Sequence, residues 1–166
     1  IIKAATEAKK LRSSNCKQSE SVAYDHSVEL LEGEIVDVSS GGIGDRVCLD
    51  LVRLLNTGEG LLIGSSAKLL ALVHGETFET GFVPARPFRV NAGPVHSYVL
   101  MADLTMKYLS EVRPGDQVLA VRRLFDEAVK ENSIMTRPVT VGRCKIETRP
   151  LLMISFKREN SVGQIF

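Results

Sequence analysis

The 166-residue chain contains no tryptophan, and only 5% of its residues are aromatic. A surface that stacks bases on exposed rings needs more than that, and a formal net charge of +1 without a long basic run offers nucleic acid no general attraction. Cysteine is also scarce. Cys16, Cys48 and Cys144 are scattered and odd in number, which suits a reducing compartment better than a disulfide framework. Cys48 and Cys144 fall in apolar, strand-like runs and read as small core residues. No apolar run approaches the length of a membrane span, and no internal repeat stands out.

What remains is ordinary globular material, 44% hydrophobic and 25% charged, long enough for one compact domain or two small ones. In Ile1 to Leu11, the residues Ile2, Ala5, Ala8 and Leu11 recur at helical spacing with lysines opposite, which predicts a short amphipathic helix. Arg12 to Asp25 is polar and serine-rich, a linker. From Val28 the texture becomes β-like. Glu34 to Val38 reads as a strand, Ser39 to Gly44 as a turn and Arg46 to Leu55 as a second strand. There Val47, Leu49 and Leu51 alternate with Arg46, Cys48 and Asp50. Ser66 to Val73 suits helix or strand equally. Phe82 to Val90 and Val95 to Met101 read as strands framing an Asn91–Pro94 turn. Arg113–Asp116 is a turn feeding Gln117 to Arg122, and Pro138 to Glu147 with Leu151 to Phe156 completes a meander. The fold class predicted is α+β and β-dominated: an antiparallel sheet or small β-barrel with a short N-terminal helix. Its expected organisation is a helix and flexible linker over 1–27, a β-rich domain carrying the site over 28–112, and a β-meander packed on it over 113–166.

Arg86 to Tyr98 is the richest stretch chemically. Arg86, Arg89, Asn91 and His96 sit among Pro87, Gly93 and Pro94, whereas a strand selected only for packing avoids interior proline. Arginine presents a planar fork to a carboxylate or phosphate, and histidine titrates near neutrality. Arg86 and Arg89 are an odd offset apart, so a joint clamp requires a bend at Pro87. His74 and Glu76 place a base and a carboxylate two residues apart, an arrangement that serves acid–base work or a structural histidine alike. Gly41 to Gly44 lacks the spacing of a dinucleotide or P-loop cradle and reads as a hairpin corner, beside an Asp45–Arg46 pair that orients a ligand or forms a simple ion pair. Arg143, Lys145 and Glu147 alternate onto one face, as a solvated strand also does. No paired ligand spacing points to a metal, and none is expected.

These segments also carry a resemblance. Ile43 to Asp50, Gly58 to Ser65, Leu72 to Thr77 and Arg86 to His96 resemble the type II 3-dehydroquinate synthases. Tyr108 to Glu111, Gly115-Asp116 and Val141 to Pro150 continue the match in the same order, so it spans about Leu30 to Leu152. The resemblance favours a strand over Ser66–Val73. It implies an NAD-dependent enzyme of aromatic amino-acid biosynthesis that oxidatively deaminates an amino-dideoxy-heptulosonate and cyclises the product to 3-dehydroquinate. It further implies His74, Glu76 and His96 as catalytic candidates and Arg86, Arg89, Asn91, Asp45 and Arg46 as substrate-binding ones. The implied partner is a small amino-sugar acid, with neither nucleic acid nor membrane, in the cytoplasm or in the plastid for a plant homologue.

Four departures stand out. Gly75 replaces the family's usual Ser, and Phe125 to Thr136 reads as an insertion in a tight hairpin. The Ser155–Phe166 end stops where a final strand is expected, and the family's long N-terminal region is missing. They support an alternative, an inactive β-barrel binding module or truncated product. They also lead to the expectation of an unpaired edge near Val162–Phe166 through which chains associate.

Overall fold

A computed structural model describes residues 28–79, 81, 84–126, 131–158 and 161–166. The expected N-terminal helix and linker, with Cys16, lie outside the described residues. Nine strands form an antiparallel sheet: β1 (Glu34–Leu51), β2 (Glu59–Ser66), β3 (Leu69–His74), β4 (Arg89–Pro94), β5 (Tyr98–Leu100), β6 (Met106–Tyr108), β7 (Gln117–Asp126), β8 (Glu131–Arg158) and β9 (Ser161–Ile165). Their order is β4-β1-β8-β7-β2-β5-β6, with β3 added on β2 and β9 on β8. The β-dominated antiparallel expectation holds, and the one helical turn among the described residues is the 3-10 turn Leu109–Glu111. No helix among them is long and apolar enough to cross a membrane.

Two long strands organise the sheet. The first part of β8 pairs with β7, from Thr140 opposite Gln117 to Glu131 opposite Asp126. Its second part pairs with β1, from Val141 opposite Leu51 to Lys157 opposite Glu34. Segments 28–112 and 113–166 therefore contribute to a single hydrogen-bonded sheet. The sheet curls so that β1 and β4 face β2, β5 and β7 across one apolar core, which includes Val47, Leu49, Leu61, Ile63, Val90 and Val118. Val47 and Leu49 are fully buried in that core. Cys48 and Asp50 on the opposite side are buried as well, so β1 is covered on both faces here rather than half-buried as its alternation predicts. Leu62, Leu100, Leu119 and Val121 form a smaller cluster on the other side, covered in part by Val28 and Leu30.

Several local readings are corrected. Ser39 to Gly44 is no turn: β1 runs through it, accommodating the extra residue as a bulge between Ser40 and Gly42, where Gly42 takes φ +77°. The glycines permit close packing there, since a Cβ on Gly41 or Gly44 would lie 2.8 Å from Phe166 or Leu151. Asn91–Pro94 is likewise strand, and the chain turns after it at Val95 and His96. Gly93 at φ +120° and a register shift between Val47 and Cys48 let β4 carry a proline at its end. Before β4 the chain turns at Arg86–Arg89, closed by the Arg89 N–H donating to the Arg86 carbonyl at 2.8 Å. Ser66 to Val73 resolves as a β2–β3 hairpin. The Ser155–Phe166 end includes a strand, β9, paired with β8 from Ile154–Ile165 to Arg158–Ser161.

One feature of the β1–β8 ribbon stands apart. Beyond the closed core, Ile35, Val38, Ile43, Ile146 and Leu152 are each more than half exposed. Cross-strand pairing sets Ile35 beside Phe156, Val38 beside Ile154 and Ile43 beside Pro150, so this apolar row continues the core-facing side outward.

Candidate functional site

The side of β1 turned away from the core carries Arg46, Cys48 and Asp50. Strand pairing extends each into a row: Arg89–Asp50–Arg143, Asn91–Cys48–Lys145 and Pro94–Arg46–Glu147. This polar face is the candidate site.

Asp50 is its anchor. Arg89 donates to it twice, from Nε to Oδ1 at 2.7 Å and from Nη2 to Oδ2 at 3.0 Å. Arg143 adds Nε to Oδ2 at 2.7 Å and a second bond from Nη2. The Arg89 hydrogen bond, then that of Arg143, outweighs burial and holds the Asp50 carboxyl below its usual range. Asp50 in turn raises Arg89, which is 9% exposed. Both strands of this pair come from alternation, but only register shows that the two residues meet.

A second chain of bonds leads outward. Cys48 Sγ donates to Asn91 Oδ1 at 2.9 Å, Asn91 Nδ2 to Glu76 Oε1 at 2.6 Å, and Arg86 Nε to Glu76 Oε2 at 2.5 Å. The backbone supports it: Glu76 and Arg86 form a bridge, and the Glu76 N–H donates to the Arg89 carbonyl at 2.8 Å. Gly75 permits this approach, because a Cβ there would lie 2.5 Å from Leu55 Cδ1.

The structure places the sequence candidates in two groups. Glu76, Arg86, Arg89 and Asn91 converge at one end of β4, with His74 exposed two residues before Glu76. Asp45, Arg46 and His96 lie at the other end, where the Val95 N–H donates to the Asp45 carbonyl at 3.0 Å. The four residue steps of β1 from Arg46 to Asp50 span about 13 Å. His96 is exposed and meets Phe166 edge-on with ring centroids 5.5 Å apart. It does not share a pocket with Arg89. The bend at Pro87 occurs, yet it delivers Arg86 and Arg89 to different carboxylates, so they form no joint clamp. Asp45 accepts from Thr148 at 2.9 Å, while Arg46 pairs with Glu147 at 3.3 Å.

Sequence reasoning missed Asp50, Cys48 and the weight of Arg143. The signal was available in the alternation of β1, which put Cys48 and Asp50 beside Arg46. Lys145 shows no burial that would favour an imine: its side chain is 44% exposed and paired with Glu147. Lys145, with Arg149 beside it, pulls the Glu147 carboxyl down to about 2.

Comparison with known proteins concerns the sequence rather than this geometry. A profile of the 3-dehydroquinate synthase II C-terminal domain matches residues 32–166. The chain is 46% identical over 135 residues to a 3-dehydroquinate synthase of Methanosphaera stadtmanae, covering 81% of this chain and 35% of that protein. It is 45% identical over 131 residues to that of Methanopyrus kandleri, covering 79% and 30%. With that of Nitrosopumilus maritimus it shares 44% over 139 residues, covering 84% and 37%. It thus spans little more than a third of the length of these relatives at most. No solved structure matches.

Proposed function

The chain belongs to the 3-dehydroquinate synthase II family, by the C-terminal domain of that family, and from this premise we propose that it supplies part of the active site of such an enzyme. The reaction is oxidative deamination of 2-amino-3,7-dideoxy-D-threo-hept-6-ulosonate with NAD as hydride acceptor, followed by cyclisation to 3-dehydroquinate. The observation that carries the reading is the profile match over a face where charged groups are held in fixed geometry.

This face suits a carboxylate-bearing substrate. Arg89 has its fork occupied by Asp50 and acts as a positioning residue. Arg143, 62% exposed while tied to Asp50, and Arg86, 36% exposed while tied to Glu76, keep donors open to a ligand. Glu76 spends both oxygens on Arg86 and Asn91, so proton transfer falls to a histidine. His74 is the base in this reading because it adjoins the Arg86–Glu76 end; His96 lies at the far end. NAD supplies hydride acceptance when bound. The described residues do not fit it as a dinucleotide cradle, since Gly41–Gly44 lies inside a strand and packs on Phe166 and Leu151. No step is therefore routed through it here.

The test is NADH formation from the amino-heptulosonate by a longer version carrying the N-terminal region of the relatives. His74→Asn is expected to lower kcat about a hundredfold and His96→Asn to leave it nearly unchanged. Equal turnover by His74→Asn and the parent overturns the assignment of the base.

A further inference from the structure

At the far end of the same face, three cations converge on one carboxylate. Lys145 Nζ and Arg149 Nη2 each lie 3.0 Å from Glu147 Oε1, and Arg46 Nη2 lies 3.3 Å from Oε2. The cluster carries three positive charges against one negative, a surplus of two. Its donors are not used up: the Lys145 and Arg149 side chains are 44% and 53% exposed. Beneath them the Arg46 Nε is buried and has no hydrogen-bond acceptor among the described residues. That Nε has no exposed surface, so what Arg46 offers a ligand is the rest of its side chain, 30% exposed. The neighbouring Arg89–Asp50–Arg143 row adds another surplus positive charge, two against one, and so does not neutralise the cluster.

We propose that Arg46, Lys145 and Arg149 form a binding site for a doubly charged oxyanion of the phosphate class. The site is separate from the Arg86–Arg143 end and independent of the deamination reading. A carboxylate already sits among these cations and compensates only one of their three charges. A phosphate dianion matches the surplus of two, and its tetrahedral oxygens provide a separate acceptor for each donor. A nucleic-acid strand is a poorer fit, because the cluster is confined to a few residues and the net charge of the chain is only +1.

The experiment is a titration of the 166-residue chain with inorganic phosphate, followed by NMR of the arginine Nε–Hε signals. Malonate, a dianion without tetrahedral oxygens, and NAD, whose diphosphate carries the same chemistry, form parallel arms. Saturable movement of the Arg46 signal by phosphate, with little from malonate, is the expected result. Tighter binding of NAD would identify a nucleotide as the source of the phosphate; equal or weaker binding would identify a free or sugar-borne one. Lys145→Gln and Arg149→Gln should each weaken phosphate binding roughly fivefold. Lys68→Gln, the same charge change in the exposed β2–β3 turn, should leave it within about twofold. Native signal dispersion confirms folding of each variant. No saturable shift of Arg46, equal binding of malonate, or equal weakening by Lys68→Gln overturns the proposal.

Discussion

Asp50 receives four hydrogen bonds from two arginines, and one of those arginines is buried with it. Asp50→Asn should therefore cost about 3 kcal/mol in chemical denaturation, because it leaves the Arg89 charge without its counterion. Removing Arg143 should cost far less, since Arg89 still holds Asp50. The pH dependence follows from the same carboxyl. Its folded value is depressed below 3.8, so its stabilisation is fully present above that value and is lost as pH falls through the folded one. Glu59 behaves alike: burial pushes it up, but hydrogen bonds from Arg137 and Asn56 outweigh that and bring it below 4.5. Stability should thus decline below about pH 4.5, and Asp50→Asn should flatten the lower part of that decline. An Asp50→Asn profile parallel to the parent down to acid unfolding would contradict this.

Among the elements, the β2–β3 hairpin depends on close backbone approaches at Gly60 and Gly64. A Cβ on Gly60 would lie 2.1 Å from the Val73 carbonyl oxygen, a backbone atom that cannot swing aside. Gly60→Ala should lose about 3 kcal/mol or more and open the β2–β3 amides to hydrogen exchange; unchanged protection would refute the packing. These cases also show what the sequence made legible. Alternation alone identified the two sides of β1, and the Arg113–Asp116 turn was visible from its proline and glycine. Gly42 was read as a corner because glycine serves turns and bulges equally well. Only pairing with β8 distinguishes them. Pro94 was placed inside a turn for the same reason, although a proline is also tolerated at a strand end. For the site, residue type and spacing picked out Glu76, Arg86, Arg89 and Asn91, which do gather. Spacing could not reveal that Arg89 faces Asp50, thirty-nine positions away, or that the length of β4 separates it from the His96 end.

The molecule as a whole presents one side rich in charge and, on the reverse of the same β1–β8 ribbon, an exposed apolar row. Ile43 at 79%, Ile35 at 63% and Leu152 at 62% exposure are its most open members. Such a row promotes association of the 166-residue chain. Sedimentation should show concentration-dependent self-association that Ile43→Lys with Leu152→Lys abolishes without loss of native signal dispersion. A parent chain that stays monomeric at high concentration would rule this out.

Under the proposed function, the Arg86–Arg143 end of the polar face binds substrate in a 3-dehydroquinate synthase. Steady-state NADH formation by the longer version and its Arg143→Gln variant tests that most directly. Arg143 is exposed, and its loss leaves the Arg89–Asp50 pair intact. The expected result is a KM for the amino-heptulosonate raised about tenfold, with the KM for NAD unchanged. Identical substrate KM values for the variant and the parent would contradict the account.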